Sequence, residues 1–127
     1  MYNLFDKQVI FCYQGNSMLI EITLTDSETG EPIPIENDDY VLFTVSNKNN
    51  KIVIQKKLTQ YDYDQEDECL HCNLDSNETA DLPTGEYFYD CLYVCGAQST
   101  TFISSSLVIT KAYGKVIEPD GGDANGE

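Results

Sequence analysis

Residues 82–87 read Leu-Pro-Thr-Gly-Glu-Tyr and stand directly before a long segment in which apolar and polar residues alternate. A leucine, a glycine three residues later and a tyrosine two residues after that have the layout of a tyrosine corner, in which the phenol bonds to backbone of the preceding loop. An ordinary turn before an aromatic strand is the other interpretation. We favour the corner, and therefore predict that Gly85 and Tyr87 anchor the fold.

Hydrophobic residues recur with a period of two along most of the chain, and β-branched and aromatic types dominate these runs. Both features are typical of β-strands, and no segment has a helical period. The pattern predicts strands at 9–13, 18–25, 40–46, 51–58, 68–74, 85–95 and 99–111, with long loops at 26–39 and 75–84. Seven strands joined by turns predict an all-β fold, an immunoglobulin-like two-sheet β-sandwich.

The chain has 127 residues, which is the usual size of one domain. We assign residues 1–113 to the sandwich and residues 114–127 to an acidic, flexible tail, because residues 118–127 contain no apolar residue except Ala124. No apolar run approaches the ~20 residues of a membrane span. The first residues lack the profile of a signal peptide, so we expect synthesis in the cytoplasm.

Charge excludes several classes of function. Asp and Glu number 22 against 7 for Lys and Arg, all of them lysine, so the formal net charge is -15. A protein that binds nucleic acid needs a basic face, which this composition does not provide. His71 is the single histidine, so sites built on a pair of histidines are excluded.

The five cysteines are an odd number, which favours a reducing compartment over a disulfide framework. Cys69, Cys72, Cys91 and Cys95 have spacings near those of four-thiolate zinc sites, but Cys69 and Cys72 are expected on opposite faces of one strand. A cysteine nucleophile with His71 as its base lacks a nearby cation that would lower the thiol pKa. We predict no catalytic residue, no metal and no cofactor, and interpret His71 as solvated.

An acidic loop follows the fourth predicted strand. Asp62, Asp64 and Glu66 alternate in it and offer the oxygen ligands that calcium prefers, but the turn glycine and the bidentate glutamate of a calcium loop are missing. A solvated acidic loop is the simpler interpretation. Tyr61 and Tyr63 interleave with these acids and are amphipathic side chains of the kind enriched at interfaces, so we predict that both make protein contacts.

Four short elements carry a resemblance to a known group of proteins. They are Gln14-Gly15-Asn16 before an alternating strand, Asp26 with Gly30 and Pro32 in the next turn, Val-Leu-Phe-Thr-Val at 41–45, and Leu-Pro-Thr-Gly-Glu-Tyr-Phe-Tyr-Asp at 82–90. This pattern resembles small immunoglobulin-like β-sandwich proteins encoded in tailed-phage and prophage structural clusters, and is similar to the N-terminal domains of baseplate upper proteins. The resemblance covers about residues 8–110.

The resemblance implies a non-enzymatic structural module of a virion, in the tail, the baseplate or the capsid surface, made in the cytoplasm of the bacterial host. Its expected partners are other virion proteins or copies of itself, with no nucleic acid and no membrane. The alternative is a bacterial surface or adhesion module that uses calcium at Asp62, Asp64 and Glu66.

Overall fold

The computed structural model describes residues 2–4, 8–26 and 28–112, which form two β-sheets around one hydrophobic core. A 3₁₀ turn covers Gln60–Asp62 and a short helix, α1, covers Ser76–Ala80. The strands are β1 (Tyr2–Leu4), β2 (Ile10–Tyr13), β3 (Met18–Ile22), β4 (Tyr40–Ser46), β5 (Ile52–Leu58), β6 (Tyr63–Asp64), β7 (Cys69–Leu74), β8 (Gly85–Cys95) and β9 (Gln98–Thr110).

One sheet has four strands in the order β1-β3-β7-β6, and the other has five in the order β2-β9-β8-β4-β5. Most neighbours are antiparallel, while β1 runs parallel to β3 and β2 runs parallel to β9. Consecutive strands β2 and β3 therefore belong to different sheets, which closes the sandwich. We call the sheets the four-stranded and the five-stranded sheet.

The predicted all-β sandwich is confirmed. Each of the seven predicted strands coincides with an observed one, and the two additional strands, β1 and β6, are only three and two residues long. The strand predicted at 18–25 ends at Ile22, and beyond it Thr25 makes an isolated antiparallel bridge to Pro32. The tail predicted at 114–127 lies outside the described residues.

Alternation along the strands builds the core. In β4, Val41, Phe43 and Val45 are completely buried, while the residues between them are only partly covered. The four-stranded sheet contributes the buried side chains of Ile20 and Ile22 to the same cluster. Each strand contributes only one apolar face to the core, because the opposite face of each sheet is directed toward solvent.

The expectation that no segment is helical was wrong for the loop predicted at 75–84. Residues Ser76–Ala80 form α1, whose start is capped where the Asp75 backbone N–H donates to Glu78 Oε1 at 2.9 Å. A five-residue helix is too short to show a 3.6-residue period, so periodicity could not detect it. Among the described residues, no helix is long and apolar enough to cross a bilayer.

Glu78 also connects α1 to the edge of the five-stranded sheet, because Lys56 Nζ of β5 lies 2.7 Å from Glu78 Oε2. Burial raises the pKa of Glu78, but the Lys56 ammonium and the Asp75 N–H outweigh it, so the net pKa is lowered. A carboxyl with a lowered pKa in the folded state stabilises the protein above its unfolded pKa, and this contribution is lost as the pH falls through the folded value.

We expect Glu78→Gln to lower the free energy of unfolding at neutral pH by about 0.5–1.5 kcal/mol. The difference from the wild type should shrink as the pH falls below 4.5, the ordinary pKa of the carboxyl. Urea unfolding of both proteins at a series of pH values measures this difference in stability. Glu66→Gln, which removes an exposed carboxylate from a turn, should change little. A deficit of Glu78→Gln that persists unchanged at acidic pH would contradict the assignment of the ion pair.

Candidate functional site

The segment 82–87 has the geometry of a tyrosine corner at the entry to β8. Tyr87 is buried, and its hydroxyl donates to the carbonyl oxygen of Pro83 at 2.6 Å. Burial raises the pKa of this phenol above its ordinary value. Gly85 has φ +143°, and a Cβ there would meet open space, so the glycine is required by its backbone conformation.

We expect Tyr87→Phe to lower the free energy of unfolding by about 1–2 kcal/mol, because the Pro83 carbonyl loses its donor while the ring remains. Chemical denaturation measures the change. Tyr13→Phe is the matched control, since it removes a phenol from a side chain that is 57% exposed. Equal stabilities of the Tyr87→Phe variant and the wild type would show that the hydroxyl does not anchor this loop.

The two tyrosines predicted to make contacts lie in different environments. Tyr61, in the 3₁₀ turn, is 88% exposed, the most exposed large hydrophobic residue among those described. Tyr63, in β6, is partly buried and packs against the core. Its pKa is raised by burial and then by Glu68 and Cys69. Tyr61 is thus available for docking, whereas much of Tyr63 is used in the fold.

Two of the three carboxylates considered for calcium are engaged in local backbone contacts. Asp62 Oδ2 accepts the Thr59 N–H at 2.8 Å, which closes the 3₁₀ turn. Asp64 Oδ1 accepts the N–H groups of Glu66 at 2.8 Å and of the residue after it at 3.2 Å. Among the described residues, Asp62, Asp64 and Glu66 do not gather into a group of converging ligand atoms. No observation therefore favours the calcium-dependent alternative.

Exposed aromatic side chains also lie on the outer face of the five-stranded sheet, together with the charged Glu86. Phe11 is 63% exposed and Phe88 46%, and both point away from the core because their strand neighbours Ile10, Tyr87 and Tyr89 are buried. We call Phe11, Tyr13 and Phe88 the aromatic face. Positions 9–13 are apolar throughout, whereas a half-buried strand alternates between apolar and polar residues. This departure from alternation indicates exposed apolar side chains, and the prediction of contact residues missed it.

The cysteines do not converge into a four-thiolate site. Cys72 and Cys91 belong to the hydrophobic core, Cys95 is exposed, and Cys69 is buried outside the core cluster on the other face of β7. Burial raises the pKa of Cys72 to about 12 and also raises that of Cys91. These buried thiols stay protonated at neutral pH, which makes them poor nucleophiles.

The fold of this chain, unlike its sequence, has a counterpart among known proteins. No family model and no curated protein sequence matches the chain. The fold is similar to that of the N-terminal domain of phage TP901-1 ORF48. The two structures superpose with a TM-score of 0.54 at 12% sequence identity, over 87% of this chain and 94% of that domain.

The similarity extends over nearly the whole described chain, so it concerns the complete sandwich and not one hairpin. It confirms the expected structural likeness to a domain of a phage protein. At 12% identity it establishes the fold alone, and the exposed side chains must be judged by their own geometry. Those side chains, Tyr61 and the aromatic face, are suited to protein contacts.

Proposed function

We propose that this protein is a non-enzymatic assembly module of a phage or prophage virion, in the tail, the baseplate or the capsid surface, that acts through protein–protein contacts. The observation that carries the proposal is the fold shared over 87% of the chain with a domain of a phage protein. Synthesis in the cytoplasm of a bacterial host, followed by incorporation into the particle, completes the proposal. Other virion proteins or further copies of this chain are the proposed partners.

We interpret the sandwich as immunoglobulin-like. In such folds the tyrosine corner lies near the start of the strand between strands C and G of one sheet, and that strand follows strand E of the other sheet. Here β8 carries Tyr87, lies between β9 and β4, and follows β7 of the four-stranded sheet. Sandwiches of this type present a broad outer sheet face, and the aromatic face is on that surface.

The aromatic face is the proposed main contact surface. Phe11, Tyr13 and Phe88 supply large apolar area at low entropic cost, as expected of contact residues. Docking by strand addition is less favoured at β5, because Lys56 and Lys57 lie on that edge. The formal net charge of -15 favours a partner with a lysine- or arginine-rich surface and opposes contact with nucleic acid or with anionic membranes.

Detection of the chain in purified particles tests the proposal. Virions released from a strain that encodes the chain should contain it in a fixed ratio to the major structural proteins, as measured by quantitative mass spectrometry. The double variant Phe11→Ser and Phe88→Ser should be depleted from the particles although it folds. Ile52→Ser, an exposed apolar residue at the opposite edge, is the matched control and should be incorporated normally. Absence of the wild-type chain from purified particles would refute the proposal.

A further inference from the structure

Four side chains that offer oxygen, sulfur and nitrogen ligand atoms converge on the outer face of the four-stranded sheet. Glu21, Asp67, Cys69 and His71 each offer one ligand atom, and these atoms all lie within 4.8 Å of one another. The cluster is on the opposite side of the sandwich from the aromatic face. It is independent of the proposed assembly function.

Strand register brings these residues together. Glu21 of β3 and His71 of β7 are direct cross-strand partners, and Cys69 of β7 is the partner of Asp64 of β6. Cys69 and His71 alternate along β7 with residues of the core, so they share the outer face. Asp67 reaches the same place from the turn between β6 and β7.

That turn has a defined conformation. The N–H of Glu68 donates to the Asp64 carbonyl at 2.8 Å, and Glu68 has φ +55°, in the left-handed region. Asp64 Oδ1 accepts two N–H groups of the turn, which leaves its Oδ2 directed to His71 at 3.7 Å. The turn thus holds two carboxylates over the imidazole.

Burial distinguishes this cluster from an ordinary acidic surface. Glu21 is only 4% exposed although it lies on the outer face, and Cys69 is 3% exposed although it is not part of the core cluster. A buried carboxylate is costly unless it is paired with a cation or with several donors. The interpretation of His71 as a solvated side chain was wrong for its Nε2, which is buried without a hydrogen-bond partner.

Three carboxylate oxygens surround His71 Nε2 at similar distances. Glu21 Oε2 and Asp64 Oδ2 both lie 3.7 Å away, and Asp67 Oδ2 lies 3.9 Å away. These separations are too long for hydrogen bonds. Ligand atoms of a tetrahedral zinc ion lie roughly 3.3–3.8 Å apart, so small rotations would close the cluster around an ion.

We propose that Glu21, Asp67, Cys69 and His71 form a structural zinc site, with Asp64 as a neighbouring carboxylate that orients it. One nitrogen, one sulfur and two oxygen ligands suit zinc, which accepts all three types in four-coordinate sites. Calcium and magnesium take oxygen ligands almost exclusively and do not fit a thiolate and an imidazole. This set differs from the four-cysteine site considered from the sequence and shares only Cys69 with it.

An ion at this position would connect β3 to β7 and to the turn between β6 and β7. Metal binding to the folded state alone stabilises a protein by mass action. A groove lined by residues 61–65, His71 and Asn73 opens beside the cluster and gives an ion a path from solvent. The metal would thereby fix the segment that presents the exposed Tyr61.

Metal analysis of the purified protein, prepared without a metal-binding tag, tests the proposal. We expect close to one zinc per chain after dialysis, a melting temperature that falls when a chelator removes the metal, and recovery when zinc is added back. Calcium and magnesium at the same concentration should not restore it. Cobalt in place of zinc should give the visible bands of a tetrahedral ion together with a thiolate-to-cobalt charge-transfer band.

Variants assign the ligands. Cys69→Ser should remove the thiolate band, and both Cys69→Ser and His71→Gln should weaken zinc binding by at least about tenfold, the loss that even an outer-shell substitution can cause. Cys95→Ser removes an exposed thiol and is the matched control, expected to bind zinc as the wild type does. If Cys69→Ser does not fold, His71→Gln and the cobalt spectrum of the wild type decide. Substoichiometric zinc without a shift in melting, or cobalt binding that lacks the thiolate band, would overturn the proposal.

Discussion

Replacing Phe43 by alanine is expected to lower the free energy of unfolding by about 3–5 kcal/mol, the usual cost of removing a large buried aromatic side chain. Phe43 is completely buried at the centre of β4, which lies between β5 and β8 in the five-stranded sheet. Its ring centroid lies 5.7 Å from that of Tyr89 on β8. The substitution therefore removes both apolar burial and an aromatic contact, and it leaves a cavity between the sheets.

Domains of this size are typically stable by about 5–15 kcal/mol, so the Phe43→Ala variant should keep only part of its stability. Urea unfolding followed by circular dichroism should show a lower midpoint with an unchanged slope. Phe11→Ala is the matched control, because the same atoms are removed from a side chain that is 63% exposed, and it should change stability by less than about 0.5 kcal/mol. Similar losses for the two variants would mean that Phe43 is not a core residue.

Strand positions could be predicted because they depend on local alternation. Val41, Phe43 and Val45 recur with a period of two, and this period directly determines which face of β4 is buried. The tyrosine corner could be predicted for a similar reason, because Tyr87 and its acceptor Pro83 are four residues apart. In both cases the interacting groups belong to the same short segment, so the local sequence is sufficient to predict their arrangement.

The cluster of Glu21, Asp67, Cys69 and His71 could not be predicted, because it depends on pairing between distant strands. Glu21 and His71 are 50 residues apart in the sequence and become neighbours only through the register of β3 and β7. Considered locally, His71 stands among acids and resembles a solvated side chain. Alternation in β7 places His71 on the outer face, but a register shifted by two residues would keep that face and bring a different residue of β3 opposite it, so the pattern does not fix this pair.

The short helix was missed for a related reason, since its buried residue bonds to a turn that is distant in sequence, besides the Ser76 carbonyl of its own helix at 3.2 Å. Thr79 of α1 is completely buried, and its Oγ1 donates to the Asn16 carbonyl at 2.8 Å and accepts the Gly15 N–H at 3.1 Å. Gln14 Nε2 adds a bond to the Leu82 carbonyl at 2.8 Å. The turn at residues 14–16 is thus hydrogen-bonded to a segment more than sixty residues away.

This arrangement gives the second large expected effect. Thr79→Val keeps the shape of the side chain but removes the hydroxyl, so the Gly15 N–H and the Asn16 carbonyl lose their shared partner. We expect a loss of about 1–3 kcal/mol in the free energy of unfolding, the usual net contribution of two hydrogen bonds, since Gly15 and Asn16 are exposed and can bond to water instead. Urea unfolding measures the loss, and hydrogen exchange at the Gly15 amide should accelerate because its acceptor is gone.

Thr79→Ser is the matched control, because it retains the hydroxyl and removes only a methyl group. It should keep the protected Gly15 amide and lose less stability than Thr79→Val. If the lost methyl contact were the cause, serine would be the more damaging substitution and valine nearly neutral. The order of the two variants therefore separates a hydrogen-bonded connection between α1 and the turn at residues 14–16 from simple apolar packing, and only the first explains why a completely buried position carries threonine.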